Sequence, residues 1–78
     1  MHRAYKANLV NNVTRFKEFL FDTGRRADFI DIERGVIYEL KPNNPRAIRD
    51  GMRQLEQYVD DARKQFPGII WQCVLDTY

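Results

Sequence analysis

Three side chains in this chain could act together on a charged substrate: Asp28, Glu39 and Lys41. Glu39 and Lys41 are two apart in the run Val36-Ile37-Tyr38-Glu39-Leu40-Lys41, so as a strand it points both to one face. Ile37 shares that face, and Val36, Tyr38 and Leu40 take the other. An acid and a lysine on a half-buried strand are costly unless paired, exposed or used. Asp28 opens the preceding apolar run. Asp28 and Glu39 would together offer two carboxylates to a hard divalent cation such as Mg²⁺, which takes oxygen ligands. Such an ion lowers the pKa of bound water and neutralises charge on a phosphodiester in the transition state. Lys41 would then hold the attacking water or the charge that develops at phosphorus. The triplet Glu39-Leu40-Lys41 alone is a weak motif, expected by chance about 0.6 times in this composition. A same-face surface ion pair worth about 0–1 kcal/mol accounts for it equally well.

Turn signals at Thr23-Gly24, Glu33-Arg34-Gly35, Lys41-Pro42-Asn43-Asn44-Pro45 and Pro67-Gly68 cut the chain into five pieces that must position these residues. Tyr5, Leu9, Val13 and Phe16 recur at helical spacing and predict an N-terminal helix. Its end is ambiguous, because Leu20 continues the stripe while Phe19 and Phe21 alternate with polar neighbours as a strand would. Residues 29–32 and 36–41 read as two strands joined by a short Gly-containing loop, an antiparallel hairpin. Asn44 suits an N-cap and Pro45 the first helical position. From there Ile48, Met52, Leu55, Val59, Ala62 and Phe66 form one apolar stripe, and Pro67-Gly68 stops the helix. Residues 69–75 are apolar at nearly every position and predict a last strand inside the sheet. The sum is an α/β fold with helices against a small mixed sheet.

The 78 residues make one small domain, with no internal repeat and no linker. At 44% hydrophobic and 31% charged the chain can collapse. No apolar run approaches the roughly 20 residues that span a bilayer, so no membrane partner is expected. The N-terminus shows no signal peptide. The single cysteine, Cys73, excludes an internal disulfide framework and a cysteine-rich zinc site. A net charge of +2 is too mild to argue for nucleic-acid binding by itself.

Asp28, ten intervening residues and Glu39-Leu40-Lys41 together resemble the PD-(D/E)xK nuclease signature. On the long helix, Gln54-Leu55-Glu56-Gln57-Tyr58 is similar to the Gln-x-x-x-Tyr element of the RecB-like branch of that superfamily. More narrowly, residues 24–31 and 37–46 look like the nuclease domains of bacterial polymorphic toxins. The resemblance covers about residues 24–60 and implies a restriction endonuclease-like α-β-β-β-α-β core. Residues 16–22 then supply the first strand, and the N-terminal helix is correspondingly shorter. It also implies a DNase dependent on Mg²⁺ or Mn²⁺, with Asp28 and Glu39 binding metal and Lys41, Gln54 and Tyr58 completing the catalytic set. Arg25 and Arg26 would contact phosphate. The same resemblance implies the C-terminal module of a longer secreted antibacterial effector, acting in the target-cell cytoplasm and blocked by a cognate immunity protein. Ala27 stands where the family usually has proline. Glu18 is the nearest candidate for a further acid, and that role is not carried over.

The partner of Glu39 depends on register. A pairing in which residue numbers sum to 67 sets Asp28 opposite Glu39 and needs a two- or four-residue loop. A three-residue loop over residues 33–35 puts Asp31 on Glu39's face, unless a bulge restores Asp28. The resemblance favours Asp28, with Asp31 second. Arg46, Arg49 and Arg53 read as a solvated helix face before a phosphate track. Trp71 and Cys73 read as core, and His2 as inert. The competing functions are a protein-binding module on the same fold and a basic nucleic-acid binder without catalysis.

Overall fold

A computed structural model describes residues 5–78. His2 lies outside them. Four strands, β1 (Arg15–Leu20), β2 (Arg26–Asp31), β3 (Val36–Lys41) and β4 (Gln72–Thr77), form one sheet in the order β1-β2-β3-β4. The β1–β2 and β2–β3 pairs are antiparallel and β3–β4 is parallel. A parallel neighbour needs a long crossover, and helix α1 (Pro45–Gln65) supplies it. Among the described residues the result is a mixed sheet with one long helix, the α/β architecture expected.

Helix α1 forms where local chemistry says it should. The Asn44 side chain accepts from the Ala47 N–H at 2.8 Å, and Pro45 follows at the first helical position. Phe66 caps the other end, its N–H donating to the Ala62 carbonyl at 2.8 Å. The buried face is rotated slightly from the predicted stripe. Gly51, Leu55, Tyr58, Asp61 and Ala62 are buried, and Met52 is exposed. Leu55, Tyr58 and Ala62 pack with Phe21, Ala27, Ile30, Ile37 and Trp71 in the core. An aromatic chain closes one end of it: Phe16–Phe19–Phe66–Trp71, with successive ring centroids 5.6–6.0 Å apart.

Three expectations are corrected. The N-terminal helix shrinks to one 3-10 turn, η1 (Ala7–Leu9). The reason is Asn11, whose side-chain oxygen accepts from the N–H groups of Val13, Thr14 and Arg15, each at 2.9 Å. A side chain that occupies three successive donors takes them from a helix. Asn12 beside it has a left-handed φ of 56°. Phe16 therefore belongs to β1, the first core strand that residues 16–22 were expected to supply. Glu18, at φ 53°, kinks β1, and the Phe16 and Phe19 rings meet although three apart.

The last strand starts three residues later than expected and lies at the sheet edge, not inside it. Trp71 is buried as predicted, but just before the strand. Cys73 is exposed, because the outer side of β4 has no neighbour among the described residues. Finally, Ile32 leaves the hairpin strand for the turn. The N-terminal segment packs near β3 and β4, with Tyr5 Oη donating to Asp76 Oδ2 at 2.7 Å and Lys6 Nζ 4.3 Å from the Tyr38 ring centre.

Candidate active site

The hairpin loop decides which acid faces Glu39. It has four residues, 32–35, and Asp31 builds it. Asp31 accepts from the Arg34 N–H and guanidinium, each at 3.0 Å, and its carbonyl accepts from Gly35 N–H at 2.9 Å. Gly35 takes the left-handed φ of 70° that this turn requires. The strands pair Phe29 with Tyr38, Ile30 with Ile37 and Asp31 with Val36, a sum of 67. One step further, Asp28 stands opposite Glu39. Asp31 is thereby assigned to the turn.

The β2–β3 ladder stops after those three pairs. At the next position the Leu40 N–H donates to the Asp28 carboxylate, 2.8 Å away, instead of to a strand carbonyl. The two strands thus part at Asp28, whose side chain fills the fork. Glu39 is only 3% exposed and hydrogen-bonds with Asp28 there. On its other side β3 is held by β4, with Glu39 beside Leu75 and Lys41 beside Thr77. Lys41 Nζ lies 3.6 Å from Glu39 Oε2. Burial pushes the Glu39 carboxyl up to about 8, the shared hydrogen bond and the Asp28 charge add to this, and Lys41 opposes it. Two carboxylates pressed together out of water keep a proton at neutral pH.

Tyr58 reaches the same field from α1. Its hydroxyl is pushed up to about 12, by burial first and then by the charges of Glu39 and Asp28. Its ring stacks on Phe21, centroids 5.8 Å apart and planes 23° apart. Gln54, one helical turn earlier, is half-buried. Arg25 lies close enough to oppose the rise at Tyr58, with its own guanidinium 2.9 Å from Asp61 and its side chain 45% exposed. Arg26 is exposed at the start of β2, opposite Leu20. Arg46, Arg49 and Arg53 are exposed on α1, where Arg53 makes a 3.7 Å surface pair with Asp50.

Two residues escaped the sequence reading. Asp61 is buried and joins α1 to the β1–β2 turn, accepting from Arg25 and, at 2.9 Å, from Thr23 Oγ1. An acid beside Ala62 on the buried stripe was the available signal. Gly51 is the second. A Cβ there would lie 2.7 Å from Leu75 Cδ1 and 2.9 Å from Lys41 Cγ, so the bare backbone makes room for the lysine stem. A glycine inside an otherwise good helix usually has such a packing reason.

The donor set suits a hard divalent cation. Among the described residues no three His, Cys, Asp or Glu side chains converge, so the acidic site rests on two carboxylates. They are all-oxygen ligands, already in contact, and the charge of a cation held there would favour the ionised form that burial first, and then Asp28, now disfavours. No described helix is long and apolar enough to cross a membrane.

No curated protein and no solved structure matches the chain. A family model does, over residues 1–78, and its description is restriction endonuclease fold toxin 9. With the strand order, the crossover helix and the paired acids in place, the chain belongs to that toxin family of restriction endonuclease fold.

Proposed function

We propose that this chain is a DNase that requires Mg²⁺ or Mn²⁺ and works as the toxic module of an antibacterial effector. The observation that carries the reading is the meeting of Asp28 and Glu39 in the β2–β3 fork, with the Lys41 ammonium 3.6 Å from Glu39. Asp28 and Glu39 would hold the ion, which when bound supplies charge neutralisation at the phosphodiester and a more acidic water. Lys41 lies beside the reacting phosphate, where its ammonium orients water and offsets charge building on the phosphate oxygens. Tyr58 stays protonated throughout the physiological range, so its hydroxyl remains a donor to phosphate or carboxylate. Gln54, one turn away, orients the site or contacts the strand being cut. Arg25 is held by Asp61 with nearly half its side chain in water, and with Arg26 it faces the DNA phosphates. As the C-terminal module of a longer secreted effector, the chain would act in the target-cell cytoplasm and be neutralised in kin by an immunity protein.

Incubation with supercoiled plasmid and, separately, an RNA transcript tests this. Nicked and linear plasmid should form with Mg²⁺ or Mn²⁺ and vanish with EDTA. Intact plasmid under both metals, or cutting of RNA alone, would overturn the DNase reading. A melting temperature unmoved by either metal would remove the ion from it, because a ligand selective for the folded state must stabilise that state.

Gly51→Ala provides a test away from the acids. The added methyl displaces the Lys41 stem or Leu75, and small misplacements at a reacting centre are expensive. Better helix propensity offsets part of the strain, by about 1 kcal/mol. Plasmid cleavage should fall roughly tenfold, with the melting temperature within a few degrees of wild type. Full activity would mean that the lysine stem has room to spare.

A further inference from the structure

Beside the edge strand, on the α1 side of the sheet, runs a groove of about 440 Å³. Glu56, Val59, Asp60 and Arg63 of α1 form one wall, and Gln72 and Cys73 of β4 lie along the other side. Those helix positions recur at three- and four-residue intervals and share one face. None of the three charged residues is ion-paired among the described residues. Among the described residues the outer edge of β4 is equally unspent. Gln72 and Tyr78 donate inward, to the Gly35 and Lys41 carbonyls, so by alternation the backbone groups of Cys73, Leu75 and Thr77 face outward. Residues 72–77 contain no lysine, arginine or proline to blunt that edge. Ile70, just before the strand, is 88% exposed.

We propose that this face binds a second copy of the chain, β4 pairing antiparallel with β4 of the other copy so that Cys73 faces Cys73. A two-fold axis requires each surface to complement itself; the outer pair Glu56 and Arg63 does, whereas Asp60 comes to the axis beside Asp60 of the other copy. Two α1 helices related by that axis run antiparallel, with Val59 near the centre. Glu56 of each copy then meets Arg63 of the other. The spacing fits as well. Helix α1 lies over β3 and β4. With strands about 4.8 Å apart, the two helix axes come about 10 Å apart, the distance of packed helices. The two four-stranded sheets become one of eight strands, the β4 edges meeting over residues 72–74 and Leu75 lying opposite Trp71 of the other copy, while the β1 edges stay at the two rims. The inference is independent of nuclease activity.

Sedimentation velocity of the full chain in EDTA tests it, with zero-length disulfide cross-linking by diamide. A species of twice the 9.3 kDa chain mass should appear as concentration rises. Glu56→Arg and Arg63→Glu should each weaken dimerisation about tenfold or more, and the double variant should restore it. Cys73 should cross-link in the wild type and the double variant, and Cys73→Ser should not cross-link. A monomer at the highest soluble concentration would overturn the proposal. So would a dimer indifferent to both charge reversals, or one in which Cys73 fails to cross-link.

Discussion

Glu39→Gln should abolish plasmid cleavage, by about 10²–10³-fold or more, while making the metal-free protein more stable at pH 8. The two effects have one cause. Glu39 is buried against Asp28, and its carboxyl ionises at about 8 in the fold instead of at 4.5. Below 4.5 the proton is bound in both states and no penalty exists. Between 4.5 and 8 the folded chain holds a proton that the unfolded chain has released, so stability falls as pH rises. Above 8 the loss is complete, on the order of a few kcal/mol. Glutamine keeps the shape and never ionises. Its denaturation midpoint in EDTA should therefore stay flatter from pH 5 to 8 and exceed wild type at the alkaline end. If the proposed ion binds, the rise in melting temperature that Mg²⁺ gives the wild type should disappear with the carboxylate. A variant less stable than wild type at pH 8 would show that the Glu39–Lys41 attraction outweighs burial and repulsion. Retained cleavage would remove Glu39 from the chemistry.

Phe21→Ala should cost about 3–5 kcal/mol, the range for emptying a buried aromatic site. Phe21 is 2% exposed, meets Phe19 edge to face at 5.2 Å and carries the Tyr58 ring on its other side. For a domain of this size the loss lowers the melting temperature by roughly 15–30 °C, enough to unfold much of the protein at physiological temperature. Phe21→Leu separates packing from positioning. It keeps most of the volume at about 1–1.5 kcal/mol but gives Tyr58 no ring to lie on. Cleavage should drop several-fold at a melting temperature only slightly reduced. A Phe21→Ala protein within about 1 kcal/mol of wild type would mean that the core collapses around the missing ring.

What could be read in advance divides by range. Helix α1 was legible because Asn44, Pro45 and the apolar spacing act within a few residues. The candidate set Asp28, Glu39 and Lys41 was legible as a joint motif, while the register that brings Asp28 to Glu39 was not. It rests on Asp31 turning its carboxylate back onto Arg34, and a loop of three residues was equally open. The N-terminal helix failed because periodicity ignores Asn11 and the Tyr5–Asp76 bond, which joins residues 71 apart. The apolar run of residues 69–75 promised a buried strand, yet hydropathy cannot say on which side of a sheet the chain stops adding neighbours. Gly51 and Asp61 were invisible because their roles exist only once Lys41 and Arg25 arrive from elsewhere.

The parallel pairing of β3 with β4 also sets when the site can exist. Glu39 and Lys41 gain their second neighbours from Leu75 and Thr77, 36 residues downstream in each case. Contacts of such separation close late, after the loop entropy of the crossover is overcome. During synthesis β3 therefore remains an unfinished edge until the segment carrying β4 has cleared the ribosome. Until then Glu39 and Lys41 have no strand on their second side.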